Sequence, residues 1–223
     1  MTKFHLLLLM MATSVLAGLS ACSEHEEADP QYANWNVRNH DYFVSTMQKA
    51  KDSITATHAT WGDAWTDHCG WRAYASTSMG DSVVGSITDS ICVEVIERGT
   101  GSGCPLYTDS VLINYRGRLM TTVNSLGDTV STVFDHSGLY DDYEHVFNPA
   151  TARPTTMAVS SAVRGVATAL QHMHIGDLWR IYVPCELGYG SSPRDLVPAY
   201  STLIFEIQLK AYCRRGGYLP EWN

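Results

Sequence analysis

Two histidines, His172 and His174, bracket Met173 in the stretch RGVATALQHMHIGDLWRIYVP, residues 164–184. An H-x-H triplet could present two imidazoles to a metal ion, but a closed zinc site takes four ligands in a tetrahedron. The six cysteines, Cys22, Cys69, Cys92, Cys104, Cys185 and Cys213, contain no C-x-x-C and show no ligand-like clustering that would complete one. The other reading places His172 at a helix end, where a cationic side chain faces the dipole favourably, and His174 in the connection that follows. Gly99, Gly101 and Gly103 are spaced like a phosphate loop, yet no G-K-[ST] follows and no parallel βαβ pattern surrounds them, so they read as turn chemistry. Cys185 follows Pro184 without a sequence-evident base, which makes it a structural or disulfide-bonded thiol rather than a nucleophile. Neither a metal nor a cofactor is expected.

From pattern alone, Asp135, Tyr115 and Phe205 read first as structural residues. Asp135 follows Phe134 and precedes Ser137-Gly138, while Tyr115 and Tyr189 bring phenolic hydroxyls. Each has a plain alternative: Asp135 could start a turn, and Tyr115 and Phe205 could be core aromatics on strands.

The elements that must position these residues follow from periodicity. Val37, Tyr42, Phe43, Met47 and Ile54 recur at helical spacing within residues 36–60. The next stretch, with Trp61, Trp65 and Trp71 among Gly, Asp and Ser, gives no clear secondary structure; its tryptophans read as packing on a neighbouring domain or as a ligand platform. From Ile91 the pattern turns to strands: ICVEVIERG, then SVLINYRGRL with Val111, Ile113 and Tyr115 on one face and Leu112, Asn114 and Arg116 on the other. TVSTVFDHSG is a third strand, a polar and aromatic loop spans 139–153, and TTMAV is a short strand. SAVRGVATALQHM then reads as a helix, and DLWRIYVP and STLIFEIQLKAY as two more strands. The fold class is α+β, mostly antiparallel, over residues 91–213.

Composition sets the surroundings. With 45% hydrophobic and 17% charged residues in 223, the chain can build a core. A formal charge of −8 argues against a nucleic-acid partner, which demands a basic face. Residues 1–21, with Lys3 before an apolar run broken by Thr13, Ser14 and Gly18, read as a secretory signal rather than a membrane span. Leu19-Ser20-Ala21-Cys22 resembles a bacterial lipobox, in which Cys22 is acylated; ordinary cleavage beside an incidental cysteine is the alternative. Acylation on more than one chain gives stable anchoring in a membrane. Residues 22–35 form an acidic tether whose Glu24, Glu26, Glu27 and Asp29 resemble a surface-export signal or are a plain charged linker.

Taken together, VLINYRGRL, VFDHSG, SAVRGVATALQHMHIGDLWRIYVPCELGYG and VPAYSTLIFEIQL resemble the FKBP-type peptidyl-prolyl cis-trans isomerases in order and spacing. The whole plan is similar to FKBP-like lipoproteins of the Bacteroidetes. The resemblance implies an FKBP-like twisted antiparallel sheet wrapped around one short central helix, 162–172, with a shallow apolar pocket between them. A helical or irregular extension, 36–90, would precede that domain, and a tail, 214–223, would follow it. Carried over by position, it implies Asp135, Tyr189, Phe134 and Tyr115 as catalytic groups. Met157, Ala162, Val163, Val166, Val197 and Phe205 would bind substrate, Val163 through its backbone amide. The sequence departs from the family at Val166, where most members have a tryptophan forming the pocket floor; valine is much smaller, so the floor is either lower or filled from elsewhere, by Trp179 or by an aromatic of the 139–153 loop. The implied activity is rotation of X-Pro bonds in exported polypeptides at a bacterial cell envelope. A non-catalytic chaperone or binding module using the same pocket is the alternative.

Overall fold

The computed structural model describes residues 30–76, 85–138, 147–148 and 153–220. The signal segment, Cys22, most of the acidic tether and nearly all of the 139–153 loop lie outside the described residues. By their contacts, residues 1–33 and 34–223 are two units. In the first, the described part is one 3-10 turn, Pro30–Tyr32.

The second unit is built on an antiparallel sheet of seven strands. These are β1 (Trp71–Ala75), β2 (Ser90–Glu97), β3 (Ser110–Leu119), β6 (Val133–His136), β7 (Thr155–Ala158), β8 (Leu178–Val183) and β9 (Leu203–Cys213), while β4 (Thr122–Val123) and β5 (Thr129–Val130) form a separate hairpin. The order is β1-β2-β8-β9-β3, with β6 and β7 sharing the far edge of β3. The alternation read in β3 is realised: Tyr115 lies opposite Ile207 on one face, and Arg116 opposite Glu206 on the other. The strand β1 was not legible, because only five residues alternate in a stretch dense with tryptophan. It pairs with β2 from Trp71↔Glu94 to Ala75↔Ser90, extending the sheet into the segment expected to be helical or irregular.

A short central helix, Arg164–Leu170, packs on one face of this sheet, and six of its seven residues are buried. It is shorter than the 162–172 expected, because Val159–Ser161 forms a 3-10 turn and Ala162 and Val163 remain extended. Gly165 permits the close approach: a Cβ there would run into Val183 of β8.

A long helix, Trp35–Trp61, packs against β1 and β2. Its buried residues, Trp35, Asn39, Phe43, Met47 and Ala50, form one stripe at steps of three and four. Val37 was expected in that stripe but is 61% exposed. Two residues beyond Trp35 places it about 200° around the helix, on the opposite side. Among the tryptophans that follow, Trp71 stacks on Tyr182 at 6.0 Å, Trp65 receives the Arg72 guanidinium at 4.9 Å, and Trp61 stacks on His68 at 3.5 Å.

The sheet face away from the central helix carries an ion network. Glu206 on β9, 5% exposed, accepts from Arg116 at 2.5 Å and from Arg180 at 2.9 Å, and Arg180 also reaches Glu94 at 2.7 Å. Burial by itself would raise the Glu206 carboxyl, but hydrogen bonds and charge from Arg180 and Arg116 outweigh it and hold the group below the ordinary carboxylate range. A depressed folded-state pKa gives stability that is complete above the unfolded value, ~4.3, and lost as the pH falls through the folded value. Replacing Glu206 by Gln should cost about 3 kcal/mol in urea denaturation, since two largely buried guanidiniums lose their anion. It should also flatten the fall of Tm below about pH 4.3, measured by circular dichroism.

Candidate active site

The edge of β3 is served by two strands that part company. Its Ser110–Ile113 segment pairs with β7 and its Arg116–Arg118 segment with β6, so Tyr115 lies where the two diverge. Ser137 finishes β6 at this point: its N–H donates to the Tyr115 carbonyl at 2.9 Å, and its hydroxyl accepts from the Tyr115 N–H at 2.9 Å. In β6, Asp135 pairs with Gly117 and Val133 with Arg118, leaving Phe134 as a bulged residue. A bulge re-aims two successive side chains, so Asp135 turns to the gap while the Phe134 ring swings over Gly117. A Cβ at Gly117 would come within 2.7 Å of that ring, which explains the glycine.

Under this gap lies a half-open cavity of about 210 Å³. Ile113 and Ile207 from the sheet and Val166 from the central helix line its floor, and Phe205, Met157, Ala162 and Val163 line its walls. Tyr115, Asp135 and Tyr189 form its polar edge. The remaining hydroxyl, Ser161 Oγ, donates to the Ala158 carbonyl at 2.8 Å and is occupied. Val163 precedes the first helical residue, so its N–H has no acceptor within the helix.

Burial raises the Tyr115 phenol first, and Asp135 adds to the shift by its charge and by accepting the phenol's hydrogen bond; together they push Tyr115 far above the ordinary tyrosine value. Burial and the Asp135 charge also raise Tyr189, opposed by Arg194, which lies 5.7 Å from the Tyr189 ring. Both phenols stay protonated at neutral pH and can act as donors. Among the described residues, those lining the cavity include no cysteine, lysine or histidine. The chemistry available is binding of a small apolar ring, exclusion of water and donation of hydrogen bonds at one edge.

Of the ten residues expected at the site, the structure brings eight onto this cavity: Tyr115, Asp135, Met157, Ala162, Val163, Val166, Tyr189 and Phe205. Phe134 stands one layer behind, edge-on to Phe205 with ring centres 5.5 Å apart. Val197 is buried at 3% in the loop after Tyr189 and does not line the cavity. Ile113 and Ile207 were missed, although each lies two residues from a named site residue on the same strand face, where period two could have found them. Trp179 was expected as one possible floor. It is buried against Tyr74, with centroids 6.0 Å apart, away from the cavity lining.

The other sequence candidates go elsewhere. His172 stacks on Tyr74 at 4.0 Å, and burial lowers its pKa; His174 lies 3.8 Å from the Cys104 thiol and 3.6 Å from the Asp177 carboxylate. The H-x-H pair is thus divided between different partners. The five described cysteines are free thiols, and burial together with the Glu186 charge pushes Cys185 up to about 12.

A small sheet packed on one helix, with phenols and a carboxylate rimming an apolar cavity, defines a site suited to noncovalent binding. Residues 105–210 match the family of FKBP-type peptidyl-prolyl cis-trans isomerases. Among relatives, a macrophage infectivity potentiator of Trypanosoma cruzi is 32% identical over 51% of this chain and 48% of its own. A peptidyl-prolyl cis-trans isomerase Mip of Coxiella burnetii is 29% identical over 62% of this chain and 51% of its own. An outer membrane protein MIP of Legionella longbeachae is 29% identical over 61% and 50%. The chain spans about half the length of these curated relatives. Among the described residues, no helix is long and apolar enough to cross a membrane.

The pairing of Tyr115 with Asp135 has a direct readout. Asp135→Asn removes the negative charge that disfavours phenolate, so the Tyr115 ionisation should move down towards the ordinary tyrosine value. Alkaline titration at the tyrosinate absorbance, differenced against Tyr115→Phe, measures it; an unmoved transition would show that burial alone sets the shift.

Proposed function

We propose that this chain is a peptidyl-prolyl cis-trans isomerase of proline-containing polypeptides, held at a bacterial cell envelope by lipid on Cys22 and assisting the folding of exported proteins. The observation that carries the catalytic reading is the convergence of the Tyr115–Asp135 pair and Tyr189 on one apolar cavity of about 210 Å³. Rotation about a peptide C–N bond faces a barrier of ~18–20 kcal/mol because resonance is lost on twisting. Uncatalysed X-Pro exchange accordingly takes about 10–100 s. A twisted amide separates less charge than a planar one, so a water-poor pocket disfavours the ground state relative to the transition state. In this reading Val166, Ile113, Ile207 and Phe205 hold the pyrrolidine, with Phe134 bracing Phe205 from behind. Tyr189 donates to a substrate carbonyl, and the free Val163 N–H holds the extended substrate backbone. Of the two roles open to Asp135, orienting Tyr115 is the one its hydrogen bond supports.

Protease-coupled assay or exchange NMR on an X-Pro peptide tests this. Asp135→Ala and Tyr189→Phe should each lower kcat/KM by about tenfold, or ~1.4 kcal/mol of transition-state stabilisation. A purified protein with no rate above background would end the enzymatic reading. Val166 in place of an aromatic floor favours the second reading, a binding module, and equal chaperone activity in wild type and an Asp135/Tyr189 double variant would select it. For the anchor, cells fed a labelled fatty acid should label the wild type and not Cys22→Ala; label retained in the variant would remove Cys22 as the acylated residue.

A further inference from the structure

The loop from Tyr189 to Thr202 begins with a residue of the polar rim and ends immediately before β9, which starts at Leu203. It closes on itself, the Tyr200 N–H donating to the Gly190 carbonyl at 2.8 Å and Arg194 pairing with Val197. Two of its non-glycine residues, Asp195 (φ 22°) and Tyr200 (φ 63°), have positive φ, and the third such residue among those described is Asn34 (φ 51°), next to Trp35 at the start of the long helix. Such conformations are costly and persist only where the surroundings over-determine them.

The end of the loop, next to Tyr200, is held by residues from outside the segment 105–210. The Trp35 indole N–H donates to Ser201 Oγ at 2.9 Å, and the Ser201 hydroxyl passes the chain on to the Pro198 carbonyl at 2.6 Å. Asn39 Oδ1 accepts the Thr202 N–H at 2.8 Å, its backbone carbonyl accepts the Thr202 hydroxyl at 3.0 Å, and its Nδ2 donates to the Trp35 carbonyl at 2.8 Å. All four residues are buried, Asn39 to 1% and Thr202 to 2%. A closed polar network in a low-dielectric setting permits one arrangement and penalises partial ones.

We propose that Trp35 and Asn39 are positioning residues for the isomerase site: the first turns of the long helix clamp the end of this loop and thereby fix Tyr189 at the cavity rim. The inference rests on the isomerase reading of the cavity. It makes the N-terminal helix a working part of the site, although neither residue touches the cavity.

Trp35→Phe keeps an aromatic ring but removes the N–H together with part of the buried indole, and Ser201→Ala removes the acceptor with almost no change in packing; Asn39→Ala is the harsher cut. Two measurements are made on the full chain at a temperature where circular dichroism shows every variant folded. Native-state hydrogen exchange should show the Tyr200 and Thr202 amides opening about tenfold faster in each variant, with Ile181 and Ile207 in β8 and β9 unchanged. On an X-Pro peptide, kcat/KM should fall about tenfold for Trp35→Phe and for Ser201→Ala, and the double variant should lose little more than either single one, because both break the same bond. Exchange that accelerates equally in loop and strands, or a wild-type kcat/KM in both single variants, overturns the assignment and leaves the network a purely structural one. An inactive wild type overturns the isomerase reading itself, and this assignment with it.

Discussion

Everything at the site depends on one edge of β3 being shared. A single long partner there would have satisfied every backbone group and left no opening. Instead β7 takes the first four residues and β6 takes Arg116–Arg118, and the Tyr115 backbone between them is satisfied by Ser137 rather than by a strand. Since buried backbone groups must be paired, the serine's hydroxyl makes the gap tolerable. The bulge at Phe134 belongs to the same solution, because it bends β6 away and turns Asp135 towards Tyr115. The pocket is therefore a consequence of how the sheet edge is filled, with the central helix as its second wall.

The two faces of the sheet divide the physical work. On the helix side, Ile113, Val166, Phe205 and Ile207 supply a dry wall, and the polar groups there, Tyr115, Asp135 and Tyr189, stay at the rim. On the other side the polar groups are the interior: Glu206 sits at 5% exposure between two arginines. A buried ion pair replaced by apolar residues is often no less stable, so its presence argues more for fixing how β3, β8 and β9 register than for net stability. Because Glu206 lies directly between Phe205 and Ile207, any slip in that register would carry both wall residues away from the cavity.

The strands β2, β3, β6, β7, β8 and β9 were legible in the sequence, whereas β4 was not expected and the one strand read in TVSTVFDHSG divides into β5 and β6, which belong to different sheets; most of the site was legible because its residues sit in motifs whose order resembles one family. What stayed hidden has particular causes. The strand β1 is too short and too aromatic for its period to stand out. The burial of Asn39 is invisible to a hydrophobic pattern, since its place in the stripe depends on partners 163 residues away. The separation of Phe134 from Asp135, one behind the wall and one on the rim, follows from a bulge that no residue type announces. Ile113 and Ile207 were within reach of simple alternation and show that strand period can extend a motif-based site.

Val166 is the remaining tension between this chain and the family it resembles, and the geometry bears on it. A tryptophan floor would fill the base of the pocket from the helix. Here the base is shared by a smaller helix residue and two sheet isoleucines, with Val166 itself 5% exposed. The indole that could have replaced the missing floor, Trp179, is committed beside Tyr74, the ring on which His172 also stacks. Desolvation of a prolyl ring requires apolar surface and the absence of water, not an aromatic in particular. An aliphatic floor meets that requirement while giving up the flat face that large rigid ligands stack on.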